Sequence, residues 1–246
     1  MYHFRYRRRL KDRSAEYRAT PSLPRARRLA IAAMKPRYWD EASRALSRTD
    51  RVLRRLVRRH PGVHLKRRSD AFTTLSRAIV GQQISVKAAD AIWRRFVTLV
   101  GGAPRRGFPR LAPQLVCVHD VAALRGCGLS ARKAEYLADL AGHFASGRLD
   151  PRHWKKLDDE ALIAALVDVK GIGRWTAEMF LMFHELRPDV LPLDDLGLQR
   201  ALADHYNEGE RLDRAAMLAL AEPWRPWRSV ATWYLWRSLD PIPVEY

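Results

Sequence analysis

The chain has 246 residues, a formal net charge of +18 and a hydrophobic content of 47%. That length and composition suffice to bury a full core, and the positive excess predicts attraction to a polyanion, whether DNA, RNA or an acidic membrane. No apolar run approaches the roughly 20 residues that span a bilayer. The two cysteines, Cys117 and Cys127, are too few for a four-cysteine iron–sulfur cluster.

Residues 1–35 are predicted to form a basic, mobile arm. Ten Arg or Lys stand against two acids within residues 1–28, with little apolar periodicity. Residues 36–246 are predicted to form a helical core of two packed lobes. Strand signals are scarce, so the predicted fold class is all-α, and the segment ahead of Asp70 is too short and too helical for an N-terminal β-domain.

Apolar spacing predicts helices over residues 71–80 and 86–99, separated by the turn Gly81–Ser85. A further helix is predicted from Ala131, after a glycine-containing turn. Between these elements, Gly101–Pro113 is rich in Pro, Gly and Arg, which indicates a junction between the lobes.

A tight glycine turn between two short helices, at about residues 158–186, is the strongest local motif. Gly171 and Gly173 are expected to let backbone N–H groups approach an anion from the start of the second helix. Lys170 and Arg174 add positive charge. This arrangement suits a backbone phosphate, a contact that positions DNA without reading its sequence. The candidate DNA-binding residues of the turn are Lys170, Gly171, Gly173, Arg174 and Thr176.

Four motifs occur in a fixed order: Ala78–Val86, Val169–Ala177, Leu193–Gly197 and Pro223–Ser229. Together they resemble the helix-hairpin-helix base-excision DNA glycosylases, and they are most similar to the alkylpurine branch, the DNA-3-methyladenine glycosylase II type. The resemblance covers roughly Phe72 to Trp236. It implies a compact, two-lobed helix-hairpin-helix core without an N-terminal β-domain.

The resemblance identifies Asp195 as the catalytic residue. Breaking the bond between a base and deoxyribose builds positive charge on the sugar, which a nearby carboxylate stabilises while it orients or activates water. Asp194 is expected to cap the following helix. Bifunctional members carry a Lys after the position of Arg174, whereas this chain has Trp175. The resemblance therefore implies a monofunctional enzyme that leaves the abasic site intact.

Trp175 and Trp236 match aromatic positions of the family's substrate pocket. Alkylated purines such as 3-methyladenine and 7-methylguanine are cationic, and aromatic faces attract cations. Two other aromatic positions are replaced by Met179 and Leu196, which makes the expected pocket more aliphatic.

Gln83 matches the position that fills the gap left by a flipped base. Gln82 is the alternative for that role, or it supports the loop. The motif Trp224–Ser229 is interpreted as structural, with an additional phosphate contact by Arg228 left open.

The resemblance implies no cofactor and no catalytic metal, and it allows a monovalent cation at the hairpin carbonyls when DNA is bound. The expected partner is double-stranded DNA with damaged bases, bound by a monomer that does not associate with membranes. The expected location is intracellular, either cytoplasmic with the bacterial nucleoid or nuclear in a eukaryote. Two alternatives remain: a glycosylase for deaminated bases such as hypoxanthine, and a noncatalytic helix-hairpin-helix DNA-binding protein.

Overall fold

The computed structural model describes residues 35–67, 69–101 and 110–239. Every regular element in these ranges is helical, which confirms the predicted all-α class. None of the helices described there is long and apolar enough to cross a bilayer. Apart from Lys35, the predicted basic arm lies outside the described residues, as does segment 102–109 of the predicted junction.

Twelve α-helices and two 3-10 turns occur in the described ranges. The predicted helices at 71–80 and 86–99 correspond to α3 and α4, and the helix predicted from Ala131 is α7. In chain order the helices are α1 Trp39–Thr49, α2 Arg51–Arg59, α3 Ala71–Gly81, α4 Val86–Leu99, α5 Pro113–Cys117, α6 Val121–Gly126, α7 Ala131–Ala145, α8 Asp159–Val167, α9 Arg174–Phe183, α10 Leu196–Tyr206, α11 Arg214–Ala221 and α12 Arg228–Leu239. The 3-10 turns are Trp154–Lys156 and Glu222–Trp224.

Most helix starts are set by a short polar side chain that accepts a hydrogen bond from the backbone N–H three residues later. Each such cap stabilises its helix by about 1 kcal/mol. The capping residues are Asp50, Asp70, Ser85, Asp120, Ser130, Asp158, Asp195 and Asp213. Helix α9 begins after Gly173 and, like α1 and α5, has no side-chain cap among the described residues.

Within the described ranges, two buried clusters form the cores of two lobes. The continuous lobe comprises α3–α9, and its core includes Leu75, Ile79, Leu137, Leu166 and Phe180. The split lobe comprises α1 and α2 together with α10–α12, and its core includes Trp39, Leu53, Leu198, Trp224 and Leu235.

The predicted lobe junction at Gly101–Pro113 is wrong. Val100 before this segment and Leu111 after it are buried in the same core, that of the continuous lobe. The chain instead changes lobe between Leu65 and Ala71 and again between Val190 and Leu193. Pro, Gly and Arg mark a connection between helices, but composition does not reveal whether the flanking helices share a core.

The segment Pro223–Ser229 binds Asp189 and Val190, which lie just before the chain enters the split lobe. The Arg228 guanidinium donates to both carboxylate oxygens of Asp189, at 2.8 Å from Nε and 2.9 Å from Nη2. Ser229 Oγ accepts a hydrogen bond from the N–H of Val190 at 2.9 Å. Trp224 is buried, and its indole donates to Asp50. These contacts favour the structural interpretation of the segment over a phosphate contact by Arg228.

Candidate active site

The hairpin between α8 and α9 depends on one glycine for its backbone path. Gly171 has φ +81°, and a Cβ added there would lie 2.0 Å from Cδ2 of Tyr136 on α7. A side chain at position 171 would therefore be strained and would collide with an aromatic ring.

Gly173 differs from Gly171 in its backbone conformation. Its backbone is extended, with φ −87° and ψ 170°, a conformation open to any residue. Apart from Gly173 and its two chain neighbours, the described residues place no heavy atom within 4 Å of a Cβ built there. Gly173 therefore needs no special backbone conformation, and it leaves open space in front of α9, where the sequence predicts the approach of an anion.

The N-terminus of α9 is available to an anion. The first-turn N–H groups of Arg174, Trp175 and Thr176 have no acceptor within the helix, and no side chain in the described part of the chain caps them. The helix dipole adds to their attraction for negative charge. Lys170 is exposed on the preceding turn. The backbone of this hairpin therefore presents uncapped N–H groups at the place where the sequence predicts a phosphate contact.

Arg174 is engaged in ion pairs across the hairpin. Its Nη1 atom lies 2.9 Å from Oε2 of Glu160 on α8, and its Nε atom lies 3.0 Å from Oε1 of Glu178 on α9. Hydrogen bonding to Glu160 raises the pKa of Arg174, and burial raises the pKa of Glu178. In this arrangement Arg174 braces α8 against α9, and its charge is balanced by carboxylates.

Asp195 is held by three N–H donors. It is the N-cap of α10, where Oδ1 accepts from the N–H of Leu198 at 2.7 Å. The indole of Trp236 donates to the same oxygen at 2.8 Å, and the indole of Trp175 donates to Oδ2 at 2.9 Å. Hydrogen bonds to a charged group contribute about 1.5–3 kcal/mol each, so the carboxylate is fixed and its negative charge is stabilised.

Asp194 does not cap α10, and that expectation is wrong. Its side chain is exposed and pairs with Arg214 at 2.9 Å. The cap is Asp195 itself, because its backbone is extended and places Oδ1 over the first turn of the helix. Asp195, which the resemblance matches to catalysis, therefore also has a structural role as the cap of α10.

The contact between Trp236 and Asp195 requires a small neighbour and an aromatic support. A Cβ on Gly197 would lie 3.1 Å from Oδ1 of Asp195 and 3.2 Å from Nε1 of Trp236. On its other side Trp236 stacks on Phe183, with ring centroids 5.8 Å apart and planes 7° from parallel. The structure thus brings together Trp175, Trp236 and Asp195 from three different helix ends.

Met179 and Leu196 occupy very different surroundings. Met179 is buried in the core of the continuous lobe, one turn after Trp175 on α9. Leu196 follows Asp195 and is 77% exposed, so it is available to an incoming ligand. Trp175 is 37% exposed and offers an aromatic surface beside the carboxylate.

The wedge loop, Gly81–Ser85, is joined to the hairpin. The side-chain amide of Gln82 donates to the carbonyl of Gly171 at 2.9 Å, which corresponds to the loop-supporting alternative for Gln82. Gln83 is exposed, adopts φ +56° and forms no hydrogen bond to the described residues. The left-handed backbone is uncommon for a residue with a Cβ, and such strain occurs often at functional positions.

The supporting contacts of two residues were not predicted from the sequence. Phe183 continues the stripe of Trp175 and Met179 at a spacing of four residues, a signal that was present in the sequence but indistinguishable from core packing. Lys133 donates to carbonyls near the wedge loop, a contact between elements distant in sequence that no local pattern reveals.

The arrangement suits stabilisation of a cation next to a bound anion. The fixed carboxylate of Asp195 accepts a hydrogen bond from Trp175, the second residue of α9, whose first-turn N–H groups are uncapped. Among the described residues, no group of three or more His, Cys, Asp or Glu side chains is arranged to hold a metal ion.

The comparisons with known proteins agree on one family. Residues 76–226 match the family described as HhH-GPD superfamily base excision DNA repair protein. YfjP of Bacillus subtilis (strain 168) is 32% identical over 74% of this chain, which spans 63% of that relative's length. The chain thus covers somewhat less than two thirds of that protein.

Two solved structures extend the likeness to three dimensions. The DNA-3-methyladenine glycosidase of Bacillus halodurans is 36% identical, with a TM-score of 0.72 over 80% of this chain and 87% of that one. The 3-methyladenine DNA glycosylase of Schizosaccharomyces pombe, in complex with abasic DNA, is 32% identical, with a TM-score of 0.68 over 84% of this chain and 98% of that one. The chain belongs to the HhH-GPD superfamily of base excision DNA repair proteins.

Proposed function

We propose that this protein is a DNA glycosylase that removes alkylated purines, such as 3-methyladenine and 7-methylguanine, and leaves the abasic site uncut. The observation that carries the proposal is the Asp195 carboxylate, fixed between the indoles of Trp175 and Trp236 beside the open N-terminus of α9. The names of the two structural neighbours, a DNA-3-methyladenine glycosidase and a 3-methyladenine DNA glycosylase, support the same substrate class.

Duplex DNA binds first through the hairpin. A backbone phosphate accepts hydrogen bonds from the N–H groups at the start of α9, in the space left open by Gly173. Lys170 adds positive charge there, and this contact carries no sequence information. Gln83 enters the stack as the damaged nucleotide leaves it, which offsets part of an unstacking cost of a few kcal/mol.

The flipped base is held by its charge and its shape. A cationic purine is attracted to the exposed face of Trp175 by about 0.5–2 kcal/mol, a preference that an undamaged neutral base lacks. Leu196 provides an apolar contact at the mouth of the site.

Hydrolysis then proceeds by heterolysis of the glycosidic bond. The bond between the base and C1′ breaks, the base leaves with the electron pair and becomes neutral, and positive charge develops on the sugar. The Asp195 carboxylate stabilises that charge. A water molecule adds its oxygen to C1′ and passes its proton to Asp195 and on to solvent, so that the abasic sugar carries a hydroxyl.

The absence of an amine at position 175 carries the monofunctional part of the proposal. An indole nitrogen cannot form a Schiff base with the sugar, and Trp175 already donates its N–H to Asp195. The strand next to the abasic site therefore stays intact.

The reaction as proposed needs no cofactor, and a monomer suffices because one site receives one base. We include a monovalent cation at the hairpin carbonyls in the DNA-bound state. Val169 and Gly171 each accept one hydrogen bond through their carbonyls, which leaves each oxygen a second lone pair. When bound, such an ion would add positive charge close to the phosphate.

The test is release of free base from methylated duplex DNA, with strand nicks counted before and after alkali. The wild-type protein should release 3-methyladenine or 7-methylguanine and give nicks only after alkali. Asp195→Asn should lose roughly 10²–10³-fold or more in rate while it retains DNA binding, because Asn caps a helix as well as Asp.

Asp194→Asn is the matched control, since it removes a neighbouring exposed carboxylate that pairs only with Arg214 among the described residues. It should retain most of the activity. Release of hypoxanthine instead of methylated bases would move the substrate to deaminated purines. DNA binding without release of any base, in both the wild type and Asp195→Asn, would indicate a noncatalytic DNA-binding protein.

A further inference from the structure

One face of α7 contacts both elements proposed to grip DNA. Lys133, Tyr136 and Asp139 are spaced three residues apart, so they lie on one side of the helix. Lys133 reaches the wedge loop, whereas Tyr136 and Asp139 reach the hairpin. The helix therefore connects two elements that are far apart in sequence.

The Lys133 ammonium binds at the end of α3. It donates to the carbonyl of Val80 at 2.9 Å and to the carbonyl of Gln82 at 2.6 Å. Both carbonyls lie at the C-terminus of the helix, where they lack intrahelical donors and where the dipole favours a cation. Lys133 is half-buried, and burial lowers its pKa from the ordinary value.

The bond to Gln82 acts directly on the wedge residue. The carbonyl of Gln82 and the N–H of Gln83 belong to the same planar peptide unit. A donor that fixes this carbonyl fixes the plane from which Gln83 turns into its left-handed conformation, φ +56°. An exposed residue with a Cβ does not hold that conformation by its own preference.

The same loop is tied to the hairpin by two further contacts. Gln82 Nε2 donates to the carbonyl of Gly171 at 2.9 Å. The N–H of Lys170 donates to Oδ2 of Asp139 at 2.9 Å. Lys133, Gln82 and the hairpin backbone therefore form one hydrogen-bonded unit that spans the wedge and the phosphate site.

We propose that Lys133 is a positioning residue: it holds Gln83 in the conformation required for insertion into DNA and keeps the wedge loop in register with the hairpin. The inference rests on the proposed function, and it concerns binding to a gapped stack rather than bond cleavage. The hairpin grips any duplex, and Lys133 adds preference for a site with a missing or flipped base.

The experiment measures the affinity for a duplex with an abasic-site analogue opposite 2-aminopurine, relative to an intact duplex. The fluorescence of 2-aminopurine reports unstacking at the gap. Lys133→Met should lower the abasic-over-intact affinity ratio about tenfold, the effect of losing charge-assisted hydrogen bonds, while affinity for the intact duplex changes little. Lys155→Met, which removes the same charge from an exposed residue, is the matched control.

A structural role for Lys133 is separated from a positioning role by combining variants. In a Gln83→Ala background, Lys133→Met should cause no further loss of the affinity ratio, because the residue through which it acts is already absent. An equal loss in both backgrounds would overturn the proposal, as would an unchanged ratio in Lys133→Met alone.

A chemical rescue covers the case in which Lys133→Met fails to fold. Lys133→Cys in a Cys117→Ser background can be aminoethylated, which restores an ammonium at the same reach while buried Cys127 stays protected. Aminoethylation should restore the ratio and the fluorescence increase, and no recovery would overturn the proposal. Base release plays no part in this measurement, so a protein that fails the glycosylase test still allows it.

Discussion

The indole N–H of Trp175 lies 2.9 Å from Oδ2 of Asp195. Trp175 therefore serves both as an aromatic surface and as a donor that orients the carboxylate. Trp175→Phe keeps the surface and removes the donor. We expect base release to fall about tenfold, since one charge-assisted hydrogen bond is lost, with little change in stability because the side chain is exposed.

Single-turnover release of 7-methylguanine measures this effect, and Trp93→Phe is the matched control because Trp93 lies outside the carboxylate cluster. An equal rate in wild type and Trp175→Phe would show that the indole N–H does not position Asp195.

The two hairpin glycines should respond differently to the same substitution. Gly171→Ala places a Cβ 2.0 Å from the Tyr136 ring in a left-handed conformation. This should cost about 2–4 kcal/mol of unfolding free energy. Gly173→Ala meets open space, so it should fold normally and weaken DNA binding.

Denaturant unfolding and salt-dependent DNA binding separate these outcomes. Loss of one phosphate contact by Gly173→Ala should make the slope of log K against log salt shallower by roughly 0.9. Gly171→Ala combined with Tyr136→Ala should recover the part of the loss due to the collision. Normal stability of Gly171→Ala would contradict the described hairpin geometry.

The sequence predicted the helical class and the residues that meet at the site, but not how those residues are supported. Asp195, Trp175 and Trp236 occur in motifs whose order is specific, so their meeting could be expected. The hydrogen bond from Gln82 to Gly171 and the ion pairs of Arg174 join residues through tertiary packing, which single-sequence patterns do not encode. The lobe border was missed for the same reason, since spacing identifies a helix but not the core that it joins.

Arg225 and Arg228 both bind Asp189, but they should differ in their contribution to stability. Arg228 is largely buried, with a side-chain exposure of 12%, whereas Arg225 is 48% exposed. Arg228→Met leaves a half-buried carboxylate with fewer donors and should cost roughly 1–3 kcal/mol. Arg225→Met should cost less than about 1 kcal/mol.

Chemical denaturation compares the two variants, and DNA titration over a range of salt concentrations provides a second measurement. Arg228→Met should leave the salt slope unchanged because its charge is committed to Asp189. A shallower slope would mean that Arg228 contacts phosphate.

His184 should make the protein less stable in mild acid. It is buried and stacked on Phe180, and burial lowers its pKa to about 3, with Arg67 contributing. The neighbouring Glu185 does not reverse this effect because it pairs with Arg67 at 2.8 Å.

The unfolded chain takes up a proton near the ordinary pKa of 6.5, whereas the folded chain does not do so until about 3. This group therefore lowers the free energy of unfolding as the pH falls through that window. Between pH 7.5 and pH 5.5 we expect its contribution to decrease by about 1 kcal/mol. Urea unfolding at both pH values tests this, and His184→Gln should show a smaller decrease; equal decreases would contradict a buried neutral imidazole.

The split lobe is built from helices at both ends of the described chain, so the order of translation decides when the site is complete. Helices α1 and α2 are translated before the continuous lobe, yet they pack against α12, which is translated after it. All the helices of the continuous lobe, including the two of the hairpin, are translated before α12. The two helices of the hairpin are therefore translated before Trp236, and the Asp195 carboxylate gains its full set of donors only when translation of α12 is complete.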